Sequence, residues 1–296
     1  MLSLLYKKNW RINKIQYTNK YKLPDRVIRV IQGKHTDKRP DIGRLSVTDL
    51  IDDPLPRILY INHWDDIVRD YSDFLTMTQG TALHDRYEMC ATDDEDAEHK
   101  FEDAVSDLIV VGKTDSKFDD TILDVKQTGV YGPKYRLDKW TAQLNTYSWQ
   151  WRRRKETINK LLIDVWYRDW KLNKVYYKDY PPISFEVLEL KLWDYNKQHF
   201  YVRDQVRKHE SHPIFDKPEM YEFPCSDKQR GIRFEGFKGK NKTPSKVGET
   251  MEEVQNFVDY QEKTTKDKYV IRKSPPVFCE RYCKSRSVCP FSGVVQ

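Results

Sequence analysis

Two residues on one apolar segment, Asp124 and Lys126 in Ile122-Leu123-Asp124-Val125-Lys126, open the reading. On a β-strand, alternate side chains share a face, so Asp124 and Lys126 project together while Leu123 and Val125 face the core. An acid and an ammonium on such a strand cost desolvation unless something uses them. A divalent cation on Asp124, with Lys126 facing a scissile phosphate, would be such a use; a solvated strand face with an ion pair is the bland alternative. Asp115 closes Gly112-Lys113-Thr114-Asp115, and a short turn would bring it beside Asp124. Converging carboxylates repel unless a cation bridges them, and hard ions such as Mg²⁺ or Mn²⁺ favour that arrangement. Upstream, His84 and Glu88 are one helical turn apart; downstream, Gln143 and Tyr147 share a helix face that Lys139 extends. Taken singly, a helical histidine is a structural residue and that stripe a half-buried amphipathic edge.

In order along the chain stand Gly80-x-x-x-His84, Gly112-x-x-Asp115, Asp124-x-Lys126 and Gln143-x-x-x-Tyr147. The ordered set resembles the RecB-type branch of the PD-(D/E)XK nucleases, which includes nucleases of CRISPR adaptation and phage exonucleases. The resemblance implies an α/β fold: a mixed central sheet flanked by helices. It implies that His84, Asp115, Asp124 and the backbone carbonyl of Val125 hold Mg²⁺ or Mn²⁺. Lys126 would orient the attacking water and stabilise charge on the phosphorane, and Gln143 and Tyr147 would steady the site or contact the strand. The implied activity is metal-assisted phosphodiester hydrolysis on DNA, exonucleolytic, at ends or single strands. The alternative is a non-catalytic DNA-binding or structural module on the same fold.

Two further groups join this set. Trp149, Trp151 and Arg152-Arg153-Arg154-Lys155 interleave aromatic and basic residues, as a surface that tracks a single strand would. A solvated basic helix end, favourable against the helix dipole, is the other reading. Cys279-x3-Cys283-x5-Cys289 sets three thiols close together, a metal-binding pattern. RecB-type nucleases commonly join three such cysteines to one before the nuclease motifs around an iron–sulfur cluster. Here no cysteine precedes Gly80, so the fourth ligand is sought at Cys225 or Cys90, and Cys225, in Phe223-Pro224-Cys225, is preferred. The expected group is a 4Fe–4S cluster, with Zn²⁺ the rival.

The elements that must position these residues follow from pattern. Ser46 reads as the N-cap of a short helix, Val47 to Asp52, ended by Pro54 and Pro56. Helices are expected over Trp64–Leu75 and Thr78–Met89, then an antiparallel meander of His99–Val105, Leu108–Thr114 and Thr121–Gln127. A helix over Leu137–Arg154 and a strand over Leu161–Trp166 complete the core. Beyond it come a helix near Trp193–His209, irregular chain to about 247 and a helix near Glu249–Tyr260. The expected division is an N-terminal extension at 1–45, a nuclease core at 46–210 and a cysteine-bearing region at 211–296.

The 296 residues carry 52 Lys and Arg against 46 Asp and Glu, a net +6 that permits a polyanionic partner without demanding one. The apolar start before Lys7-Lys8 is too short for a signal peptide, and no apolar run reaches membrane-spanning length, so the expectation is a cytoplasmic protein with no membrane partner. No Gly-x-x-x-x-Gly-Lys-[Ser/Thr] occurs, so a motor would come from a helicase or recombination partner.

Overall fold

A computed structural model describes residues 15–34 and 39–293; the apolar start, with Lys7 and Lys8, lies outside them. The fold is mixed α/β and divides into two compact units. One joins Pro40–Arg57 to Phe74–Ile214; the other joins Ile58–Asp73 and Phe215–Gln296 to the described part of Met1–Arg39. The first and last segments of the chain, expected as separate regions, thus contribute to one unit.

The unit holding the candidate motifs begins with β1 (Arg44–Ser46) and α1 (Val47–Leu50), where the Ser46 side chain accepts from the Asp49 N–H as the expected N-cap. Pro54 and Pro56 do not merely end this helix: they lie in the first turn of the next, Pro54–Asn62. A first-turn N–H has no intrahelical partner, so proline costs nothing there. Next come α2 (Leu75–Cys90), β2 (Glu95–Ala97), β3 (Lys100–Val105), β4 (Leu108–Lys113), β5 (Ser116–Phe118) and β6 (Thr121–Thr128). Then follow α3 (Gly132–Arg153), β7 (Lys160–Tyr167), β8 (Phe185–Glu189) and α4 (Tyr195–Ser211).

The expected meander is present but bends between two sheets. One sheet runs β8-β7-β6-β5-β2, with β6 and β7 parallel; the other runs β1-β4-β3. Two tight turns set the register. Ser106 (φ 53°) turns β3 into β4 and Asp119 (φ 48°) turns β5 into β6, each with positive φ as two-residue hairpins require. Lys100 therefore faces Lys113 and Ala97 faces Ser116. Between those pairs the same ladder continues: the Glu98 N–H donates to the Asp115 carbonyl and the Thr114 N–H to the His99 carbonyl, both at 3.0 Å. Glu98, itself left-handed at φ 58°, is where the ribbon bends.

The core lies between sheet and helices. Ile122, Val125, Leu161, Ile163 and Val165 are buried from the β6–β7 pair, and Leu144, Tyr147, Trp149 and Trp151 from α3. In the second unit, the helix expected over Trp64–Leu75 is replaced by two 3₁₀ turns around strand Val68–Asp70. The reason is local. The Asp70 carboxylate accepts from Thr18 Oγ1, the Lys20 N–H and the Ser72 N–H, at 2.7, 2.8 and 3.0 Å, a side-chain alternative to helix hydrogen bonds. The stretch read as irregular supplies Phe234–Lys238 and Lys246–Gly248; Phe234–Lys238 is the central strand, pairing with Lys246–Gly248 on one side and Tyr269–Lys273 on the other, beside helix Met251–Thr265. Among the described residues no helix is long and apolar enough to cross a membrane.

Candidate active site

Register brings the first two carboxylates together. Ser116 pairs with Leu123, so one step further along that ladder Asp115 stands opposite Asp124. The ladder opens there, and the Val125 N–H donates to the Asp115 Oδ2 at 2.8 Å. From α2, His84 reaches the same carboxylate, with Nδ1 3.1 Å from Oδ2. Lys126, on the face of β6 that carries Asp124, sets its Nζ 2.6 Å from the Asp124 Oδ2. On α3 the Gln143 Nε2 donates to the Tyr147 hydroxyl at 3.1 Å. His84, Asp115, Asp124, Lys126, Gln143 and Tyr147 all line one cavity of about 540 Å³.

Electrostatics separates the two aspartates. Burial pushes the Asp115 carboxyl up, but the His84 hydrogen bond, the charges of His84 and Lys126 and the Val125 N–H outweigh it, leaving the group low. Asp124 is 2% exposed, and burial drives its carboxyl up to about 6; Lys126 opposes the rise and the Asp115 charge adds to it. His84 is raised, chiefly by its hydrogen bond to Asp115. Burial, and then the Asp124 charge, raise the Tyr147 hydroxyl, so Tyr147 stays a neutral hydrogen-bonding group. The cavity thus holds one buried acid that is ionised beside another that resists ionisation.

The two glycines of the motifs have different reasons. A Cβ on Gly112 would lie 1.9 Å from the Gln150 Oε1, whose side chain is buried and whose Nε2 donates to Asp103 at 3.1 Å and the Val110 carbonyl at 3.3 Å. Gly112 thus lets α3 close on β4 next to the site. Gly80 has nothing within 4 Å of its Cβ position, so packing does not explain it.

The donor set fits a hard divalent cation. Among the described residues, the one group of three or more potential ligands within 4.8 Å of one another is His84, Glu98 and Asp115, all oxygen and imidazole donors. Glu98 is the residue that motif reading missed. Its signal was the two-residue turn at Ser106-Asp107, which fixes the register and sets Glu98 across from Asp115.

The basic run on α3 is engaged within its own unit. Arg152 donates to the carbonyls of Ile158 and Trp193, while Arg153 and Arg154 both pair with the buried Asp103, at 3.1 Å. Arg153 also lies over Trp149 and Arg154 over Phe101. Trp149 and Trp151, read as possible stacking platforms, belong to the core. Lys139 pairs with Asp52, and Glu88 is not among the cavity-lining residues.

The cysteines divide between the units. Cys225, Cys279, Cys283 and Cys289 share one; Cys90, exposed on α2, is in the other. Burial pushes the Cys283 thiol up to about 11, with Cys289 and Cys279 adding to the rise, so the three tail thiols are electrostatic neighbours. Cys225 lies one residue before Ser226, the N-cap of the helix Asp227–Arg230, which packs on the Val277–Arg281 helix bearing Cys279. Its C-cap Gly231 has φ 70°, and a Cβ there would lie 3.3 Å from the Phe278 nitrogen. The tail is also fastened without any metal: Arg286 Nη2 reaches both Asp73 oxygens at 2.6 and 2.7 Å, and the Val68 N–H donates to Ser287 Oγ at 3.0 Å.

Neither a family model nor a curated protein matches the chain. Among solved structures, one described as "Crystal structure of SSO0001" is similar over 64% of this chain and 86% of that one, with 15% identity and a TM-score of 0.43.

Proposed function

We propose that the chain is a metal-dependent deoxyribonuclease with a PD-(D/E)XK core of the RecB type, acting on DNA ends or single strands. The observation that carries this reading is the convergence, in one cavity, of Asp115, Asp124 and Lys126 from adjoining strands with His84 from a preceding helix. His84, Asp115, Asp124 and the Val125 carbonyl would hold Mg²⁺ or Mn²⁺, with Asp115 already ionised and pre-aimed by the Val125 N–H. When bound, the cation supplies an acidified water and offsets the charge that builds on the phosphate. Lys126, on the same face of the strand as Asp124, would offer its ammonium to the attacking water and the phosphate oxygens. Gln143 and Tyr147 offer neutral hydrogen bonds to the strand, and Lys100 and Lys113 at the cavity wall attract its phosphates. Water adds to phosphorus, the P–O bond to the departing strand breaks, and the leaving oxygen takes up a proton.

In the same proposal Cys225, Cys279, Cys283 and Cys289 hold a 4Fe–4S cluster. One observation supports Cys225 over Cys90: the helix following Cys225 packs on the helix of Cys279. Four thiolates suit Zn²⁺ as well, so zinc is the rival occupant.

The test is incubation with end-labelled single- and double-stranded DNA in Mg²⁺, Mn²⁺ or EDTA, beside Asp115→Asn. Shortening from an end that needs metal and vanishes in the variant is expected. Binding that leaves the DNA intact under every metal would mean a non-catalytic DNA-binding module instead.

A further inference from the structure

Three carboxylates stand in one cross-strand row, and only two belong to the motifs discussed above. The β3–β4 turn aligns Glu98 with Asp115, and the β5–β6 turn aligns Asp115 with Asp124. Asp115 is therefore flanked by an acid on either side. Glu98 also has a backbone that a non-glycine residue rarely adopts, at φ 58°. The Glu98 N–H fixes that geometry by donating to the Asp115 carbonyl. Its carboxylate lines the cavity, within 4.8 Å of the ligand atoms of His84 and Asp115, and Lys113 is its ion-pair partner there. A carboxylate at the cavity wall within reach of both His84 and Asp115 is where a further ligand would sit.

We propose that Glu98 is a direct ligand of the divalent cation, completing with His84 and Asp115 a three-donor set to which Asp124 is adjacent. The inference rests on the reading of this cavity as a cation site, and deepens it by adding a ligand from the bend of the ribbon. Two oxygens and an imidazole held this way select a hard or borderline ion such as Mn²⁺. Lys113 is the counter-ion of the Glu98 carboxylate here, and a cation on Glu98 would compete with it.

The experiment is calorimetric titration of Mn²⁺ into the full chain, with Mn²⁺ paramagnetic resonance as a second readout of bound ion. Four proteins are compared: wild type, Asp115→Asn, Glu98→Gln and Asp85→Asn. Asp85 also lines the cavity but stands outside the three-donor group, so it controls for loss of one negative charge. Glu98→Gln should weaken Mn²⁺ binding at least about tenfold, while Asp85→Asn changes it by no more than about twofold. Glu98→Gln equal to wild type, or matched by Asp85→Asn, would overturn the ligand role. Wild type that binds Mn²⁺ only while Asp115 is intact, with Glu98→Gln unaffected, sinks this inference and leaves the cation site standing. Wild type that binds no Mn²⁺ removes both. Should Glu98→Gln fail to fold by circular dichroism, Glu98→Asp keeps the charge but withdraws the carboxylate by one methylene. Loss of affinity there supports ligation, and full affinity overturns it.

Discussion

Replacing Asp124 with Asn should make the metal-free protein more stable while destroying its function. In the fold the carboxyl sits at about 6 against an ordinary 3.8, because burial and the Asp115 charge together outweigh the attraction of Lys126. That difference corresponds to roughly 3 kcal/mol. Its sign follows from the direction: a group raised in the fold contributes stability that is complete below 3.8 and is lost as pH rises through about 6. Wild type therefore carries the whole penalty at pH 8, and Asn, which never ionises, carries none. For a domain of this size the gain is on the order of 6–12 °C in melting temperature. By the same linkage it falls to about half at pH 5. Thermal melts of both proteins in EDTA, at pH 5 and pH 8, measure it. Mn²⁺ at about a hundred times its dissociation constant should then add roughly 2.7 kcal/mol to wild type alone and nearly erase the gap. A variant no more stable than wild type at pH 8, or a gap indifferent to pH, would refute the account of Asp124 as a strained, cation-seeking acid.

Mn²⁺ affinity should drop by about a hundredfold per pH unit well below 6, because Asp124 and the raised His84 must both release protons before binding; calorimetry between pH 5 and 8 checks it, and a flat profile argues against these ligands. Lys126→Ala should retain Mn²⁺ but lose roughly two orders of magnitude in cleavage rate, read in single-turnover assays; weaker metal binding instead would make Lys126 a structural partner of Asp124. Gly112→Ala should cost about 1–3 kcal/mol, since the new methyl displaces the buried Gln150 from Asp103 and the Val110 carbonyl; an unchanged melting temperature contradicts that packing. Iron bound on anaerobic purification should be lost in Cys225→Ser and kept in Cys90→Ser, with the reverse result reassigning the fourth ligand.

What the chain determined by itself was local and arithmetic. Alternation along Ile122–Lys126 placed Asp124 and Lys126 on one face. Helical spacing joined Gln143 to Tyr147, which do hydrogen-bond. Two-residue turns at Ser106-Asp107 and Asp119-Asp120 fix the registers that align Glu98, Asp115 and Asp124, so even the missed glutamate was within reach of counting. Tertiary structure decided whatever depends on partners distant in sequence. That α2 delivers His84 to Asp115 is a packing outcome, because nothing in Gly80–Glu88 specifies where the helix lies. That Trp149 and Trp151 are buried while Arg152, Arg153 and Arg154 are occupied follows from Asp103 and the chain around Ile158 and Trp193. Charge and aromaticity look the same in a sequence whether they face solvent or an internal partner. Only the fold shows which groups have already been satisfied.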